Sequence, residues 1–170
     1  MPDIVYAGQR ITADLLTYRS PYVVGNAALT ANSASISSTT EVTIVTTGSI
    51  TFTAGRAYRF EFNGLVQFSG TNATSGLYLR LRRTVGTVLI RNFQNALSYN
   101  GSTDSRNAAV SVATVIAPAA TVTDTVYLTA ARDAGITTTW VMAGTAGTPG
   151  LLTVYDVGPA SDFPGIATFV

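Results

Sequence analysis

The sequence has no cysteine, no histidine and no lysine. Without cysteine there are no disulfides and no thiolate metal sites. Without histidine, the side chain that most often moves protons near neutral pH is missing. A serine triad lacks its base, Schiff-base chemistry lacks its amine, and zinc lacks its usual nitrogen and sulfur ligands. What remains for catalysis is a carboxylate pair, as in glycoside hydrolysis, drawn from Glu41, Glu61 and seven aspartates. Glu61 alternates with Arg59 along a strand-like run, which fits a solvated or paired charge better than a reactive one. The expectation is a non-enzymatic protein with no catalytic residue, no metal and no cofactor.

Charge is also scarce. Only 11% of residues are charged, against about 25% in an ordinary soluble domain. The net charge of +1 points to neither nucleic acid nor an acidic membrane as a partner. All ten basic residues are arginine, a bias that fits a GC-rich coding genome. No stretch approaches the roughly 20 apolar residues of a membrane span. The opening Met1-Pro2-Asp3 lacks the basic and apolar regions of a secretory signal, so the expectation is synthesis in a cytoplasm. So weakly charged a chain must cover its surface with hydroxyls or bury much of it against other subunits.

What is present is alternation. Tyr58, Phe60, Phe62, Gly64, Val66 and Phe68 interleave with Arg59, Glu61, Asn63, Leu65 and Gln67, one apolar face and one mostly polar face. Leu77, Leu79 and Leu81 interleave with Tyr78, Arg80 and Arg82 in the same way. Further strands are expected at 41–46, 49–53, 87–93, 109–117, 125–130, 136–142 and 151–157. Turn signals separate them, among them Thr47-Gly48, Ala54-Gly55 and Thr148-Pro149-Gly150. No helix longer than a turn or two is expected beyond the first twenty residues. Eight or more short strands with glycine-rich turns predict an all-β fold, a jelly-roll β-sandwich over residues 34–170.

Residues 1–33 are expected to form an N-terminal anchoring arm and linker. Ile4, Val5, Tyr6, Ile11, Leu15 and Leu16 give the arm an apolar side too short to be stable alone. It either packs on its own domain or hooks onto a neighbour. The last segment, with Phe163, Ile166, Phe169 and Val170, is equally ill suited to water and should dock on the sandwich or on a neighbour.

Two strands are apolar on both faces, 109–117 and 151–157. An antiparallel sandwich should show water a polar face, so a second buried surface is implied. Leu152, Val154 and Tyr155 are candidate subunit-interface residues, and a homo-oligomer is expected. Arg80, Arg82 and Arg83 form the one basic cluster. They form either a solvated outer face or a contact with acidic groups of a partner. Trp140 is expected in core or interface.

Two terminal motifs add a resemblance. Pro2-Asp3-Ile4-Val5-Tyr6-Ala7-Gly8-Gln9-Arg10-Ile11-Thr12-Ala13-Asp14-Leu15-Leu16 resembles the N-terminus of structural proteins of tailed bacteriophages infecting actinobacteria. Leu152-Thr153-Val154-Tyr155-Asp156-Val157-Gly158-Pro159 is similar to the last strand of their jelly-roll heads, with Tyr155 where an acidic residue is common. Such heads resemble the tumour-necrosis-factor and complement globular-head fold, which implies a homotrimer. The resemblance implies a protein of the virion surface, partnered by itself and by other virion proteins of capsid or tail. With no coiled coil, collagen repeat or β-helix period to form a shaft, capsid decoration is the first expectation. A tail-tip or tail-fibre protein recognising a host cell-wall glycan is the alternative.

Overall fold

The computed structural model describes residues 21–69, 73–83, 89–99, 106–133 and 139–169. The apolar arm positions Ile4, Val5, Tyr6, Ile11, Leu15 and Leu16, and the final Val170, lie outside the described residues.

The alternation resolves into ten strands: β1 (Tyr22–Leu29), β2 (Val42–Phe52), β3 (Arg56–Ser69), β4 (Ala73–Arg83), β5 (Leu89–Tyr99), β6 (Arg106–Pro118), β7 (Val122–Arg132), β8 (Thr139–Ala143), β9 (Gly150–Pro159) and β10 (Ala167–Phe169). They form two sheets. The first runs β1-β9-β3-β6-β10 with β8 also on β3; the second runs β2-β7-β4-β5. Antiparallel pairs nest: β1 with β9, β2 with β7, β3 with β6 and β4 with β5. That nesting is one long ribbon folded over on itself, the jelly-roll arrangement expected from the sequence. Among the described residues the only helical element is a single 3-10 turn, Ala160–Asp162.

The inward rows are those the period predicts. Tyr58, Phe60, Phe62, Val66 and Phe68 of β3 meet Leu77, Leu79 and Leu81 of β4 and Val126, Leu128 and Ala130 of β7 in one core. Aromatic side chains concentrate at its two ends. At one end Phe52 packs edge-on to Tyr58 and to Phe169, with ring centroids 4.9 and 5.4 Å apart. At the other, Trp140 is fully buried against Phe68 at 4.9 Å, and Ile36 exchanges backbone hydrogen bonds with it. The segment from β1 to β2 thus closes that end of the sandwich.

Three differences from the sequence have physical causes. The sandwich begins at Tyr22, not at residue 34, because β1 pairs along β9 from Tyr22↔Asp156 to Leu29↔Gly150. A bulge between Val23 and Gly25 resets the side-chain alternation there, which hides the strand from a period-two search. Glycine is needed at position 25, since a Cβ would overlap the Ile50 side chain. The two strands expected at 41–46 and 49–53 are one strand, β2, with an irregularity between Thr46 and Ser49. The Thr47 hydroxyl there accepts the Val126 N–H at 3.1 Å, so the ladder donor that the bulge would orphan is satisfied. Finally, β10 pairs parallel to the end of β6, a three-residue element too short to carry a period.

The last segment docks on its own sandwich. The Phe169 backbone carbonyl accepts the Ala119 N–H at 2.9 Å, and its ring is buried between Phe52 and Phe60. Phe169→Ala empties that site and is expected to destabilise the fold by about 3–5 kcal/mol, seen as a lower thermal midpoint by circular dichroism. A midpoint matching the parent would show that the tail closes nothing.

Candidate assembly surface

Burying one row of each strand leaves the alternate row outside. On the first sheet the outward row of β3 is Arg59, Glu61, Asn63, Leu65 and Gln67. The register sets Arg59 beside Tyr155 and Val115, and Asn63 beside Leu151 and Ser111. The outward row of β6 is small, with Ala109, Ser111 and Ala113 in line. β1 adds Val23 next to Tyr155. Large apolar side chains stand exposed on this face, Val23 at 51%, Leu151 at 43% and Leu65 at 38%. Its charges among the described residues are Arg59 and Glu61, which pair with each other at 2.6 Å; Glu61 also accepts the Asn63 side-chain N–H. Among the described residues the face is therefore weakly polar, and its two charges cancel.

The outer face of the second sheet differs in kind. Tyr78, Arg80 and Arg82 stand on β4, opposite Ala131, Thr129 and Tyr127 of β7. Glu41, just ahead of β2, is bound from both sides. Arg82 grips it with Nε–Oε2 at 2.6 Å and Nη2–Oε1 at 2.5 Å. Arg80 Nη1 donates to Oε1 at 2.9 Å and the Thr129 hydroxyl to Oε2 at 2.6 Å. The Arg82 hydrogen bonds and the other donors hold the Glu41 carboxyl at about 2, far below its ordinary 4.5. Threonines complete the surface; Thr51 and Thr123 bond hydroxyl to hydroxyl at 2.8 Å across β2 and β7.

Two further carboxylates lie inside. Asp156 continues the inward row of β9 after Gly150, Leu152 and Val154. Arg56 holds it bidentately (Nε–Oδ2 2.9 Å, Nη2–Oδ1 2.5 Å), and the Gly158 N–H and the Tyr22 hydroxyl also donate to it. Burial and the neighbouring Asp156 carboxylate push the Tyr22 hydroxyl pKa up, and Asp156 pushes the Arg56 guanidinium up. Asp124 is paired with Arg83 at 2.9 Å, both buried, with the guanidinium over the Phe169 ring. Stripping one partner from such a pair leaves an uncompensated buried charge.

These positions correct two expectations. Leu152 and Val154 are not interface residues: they are 1% and 0% exposed and belong to the sandwich's own core. Tyr155, on the opposite side of the same strand, does face outward, with Leu151 two register steps away. Arg80, Arg82 and Arg83 do not await acids on a partner either, because Glu41 and Asp124 of the same chain supply them. Arg83 also points inward, away from Arg80 and Arg82. Glu61 is paired as its spacing with Arg59 suggested. Glu41 and Glu61 face outward from opposite sheets, with the whole core between them, and form no carboxylate pair. The outward residues that sequence reasoning passed over are Val23 and Leu65. Leu65 carried a signal, a large apolar side chain in an otherwise polar row.

No protein-family profile matches the chain, and none of the curated proteins does. Among solved structures the chain is similar to a mutant VP2 protein of infectious bursal disease virus in derived T=1 particles, with 14% identity and a TM-score of 0.39. That match covers 93% of this chain and 41% of the other, so the chain spans well under half the length of that neighbour.

The Glu41 geometry sets a pH dependence. Because folding lowers its pKa, Glu41 contributes full stabilisation above its ordinary 4.5, and that contribution is lost as pH falls through about 2. Urea unfolding of the parent and of Glu41→Gln should therefore differ most above pH 5 and converge toward pH 2. A constant difference across that range would show that Glu41 is not held as its four donors imply.

Proposed function

We propose that this chain is a non-enzymatic surface protein of a virion that associates with copies of itself through the outer face of its first sheet. The observation that carries this is the contrast between the two outer faces. One is laced with Glu41, Arg80, Arg82 and threonine hydroxyls and exposes one large aliphatic side chain, Leu89 on the edge strand β5; the other exposes Val23, Leu65 and Leu151 around a stripe of small residues. Exposed apolar surface of that kind marks interaction sites. The second copy is the occupant because the face is self-compatible. Its one ion pair is closed within the chain, so two copies meet without like charges opposing. Four strands about 4.8 Å apart, each roughly eight residues long at about 3.3 Å, span on the order of 500 Å². Two such faces together reach the roughly 1,000 Å² that a specific interface requires.

The virion role is supported by the likeness of both terminal segments to structural proteins of tailed phages, and the trimeric state by the jelly-roll heads that the second segment resembles. In this reading residues 1–20 attach the sandwich to other virion proteins, and the protein decorates the capsid.

Sedimentation velocity tests the association. The parent is expected above the chain mass, at twice it where the face meets itself across a two-fold axis and at three times it where the trimer implied by the jelly-roll heads forms. Leu65→Asp with Leu151→Asp is expected at the chain mass with its thermal midpoint retained. A parent that stays monomeric at high concentration ends the proposal. Electron microscopy of intact particles tests the place: density on the head supports decoration, and density confined to the tail replaces it with tail attachment.

A further inference from the structure

Among the described residues the sheet edges are guarded in every place but one. β1 bulges between Val23 and Gly25, and β2 is irregular between Thr43 and Val45 and again between Thr46 and Ser49. β5 carries an extra residue between Leu89 and Arg91, and β10 is only three residues long. β8 is covered by the chain around Ser33 and Ile36, whose N–H groups donate to the Met142 and Trp140 carbonyls. Short, bulged or covered edges deny another strand a template. β6 has no such guard along most of its length. Its ladder with β3 runs unbroken from Tyr58↔Ile116 to Phe68↔Arg106. On its other side only Ile116, Ala117 and Pro118 are paired, with β10. Among the described residues the stretch from Asn107 to Val115 is therefore an open edge, along which alternate residues turn both N–H and C=O outward. None of these residues is charged.

The side chains along this edge suit one more strand. Outward, Ala109, Ser111 and Ala113 are small and exposed. Inward, Ala108 and Val112 pack against the core but stay only partly buried. A strand laid here with apolar inward positions completes the core at this edge. The β6 strand of a second copy has such positions. Run antiparallel and centred on Ser111, it sets Val110 opposite Val112 of the partner subunit and Ala109 opposite Ala113 of the partner subunit. Inward rows then meet inward rows, and outward rows meet outward rows. In this register Val115 faces Asn107 of the partner subunit, so the pair uses the whole open stretch and stops where β10 begins. No charges oppose one another along it. The contact is two-fold and consumes both edges, so it closes as a pair instead of growing into a fibre.

We infer that the open edge of β6 is a second self-association site, at which two copies join their first sheets into one continuous sheet. This goes beyond the association proposed above, because it uses the sheet's edge and main chain and not its outer face. A single shared ladder is smaller than the roughly 1,200 Å² of a standard interface. It therefore forms where copies are crowded, while dilute single copies stay apart.

Disulfide trapping in the full chain tests this, since the sequence has no cysteine of its own. Opposite residues of an antiparallel pair have Cα atoms about 4.5–5.5 Å apart, within the span of a disulfide. Val110→Cys and Val112→Cys, mixed and oxidised at high protein concentration, are expected to give at least about fivefold more covalent pair than either variant alone. Both positions lie on the inward row, out of reach of a contact between outer faces. The covalent pair is also expected to persist in Leu65→Asp with Leu151→Asp, so the edge and the face are tested apart. Ser111→Cys, at an exposed position that leaves the core intact, is expected to join to itself. Thr114→Lys, an inward charge of the kind that guards natural edges, should abolish every one of these products while the thermal midpoint shows a folded sandwich. A mixture that yields no more covalent pair than its single variants overturns the inference. So does a Ser111→Cys product that Thr114→Lys leaves undiminished.

Discussion

Because successive side chains on a strand point to opposite sides, every inward row that fills this core defines an outward row that cannot help to fill it. The rows of β3 and β4 are long enough to leave no freedom: shifting β3 by one residue would turn Arg59 and Glu61 into the core, and shifting β4 would do the same to Arg80 and Arg82. The nested pairing of the jelly roll then follows from which rows are apolar enough to face one another. The outward rows, relieved of any packing duty, are where the character of the two faces was free to diverge.

Scarcity of charge shapes how that divergence came out. Asp156 and Asp124 are used inside, each gripped by an arginine of the same chain, and Glu41 and Glu61 are used outside in the same way. An ion pair taken out of water gains little net stability but is costly to break. These pairs therefore act as fixed pins between strands distant in sequence: Arg56 to Asp156, Arg83 to Asp124, Arg80 and Arg82 to Glu41. With so many charges paired, the two means of covering a weakly charged surface are divided between the sheets. The second sheet carries hydroxyls and the Glu41 network, with Leu89 exposed at its edge, and the first carries exposed aliphatic side chains across its middle and an alanine-serine stripe.

Much of the fold was legible because large inward side chains repeat every second residue in β3 and β4, broken in β3 only at Gly64. What the sequence hid was hidden by irregularity. The bulge near Gly25 cancels the period of β1, and Thr47-Gly48 looks like a turn until the Thr47 hydroxyl is seen to satisfy the ladder. The site was harder. In β9 both rows are apolar, Leu152 and Val154 on one side, Leu151 and Tyr155 on the other. The charge of Asp156 makes the first row look like the wetter one. Only the Arg56 side chain, a hundred residues earlier, reveals that Asp156 is inside and that Leu152 and Val154 go with it. The arginine cluster misled for the same reason: the acid that Arg80 and Arg82 needed was in the chain already, at Glu41.

The closing motif of β9 takes on a different meaning in this light. Asp156 binds the Gly158 N–H with the same carboxylate that binds Arg56. Gly158 has φ +118°, a backbone region that a Cβ disfavours. Pro159 ends the strand and leads into the 3-10 turn that carries the chain toward β10. Asp, Gly and Pro are thus each required to finish β9 and turn the chain toward the site where Phe169 seals the core. A motif so fully occupied by folding says how a sandwich of this kind is closed. What the molecule meets must instead be sought in residues that folding leaves uncommitted, such as Val23, Leu65 and Leu151 on the outer face of the first sheet.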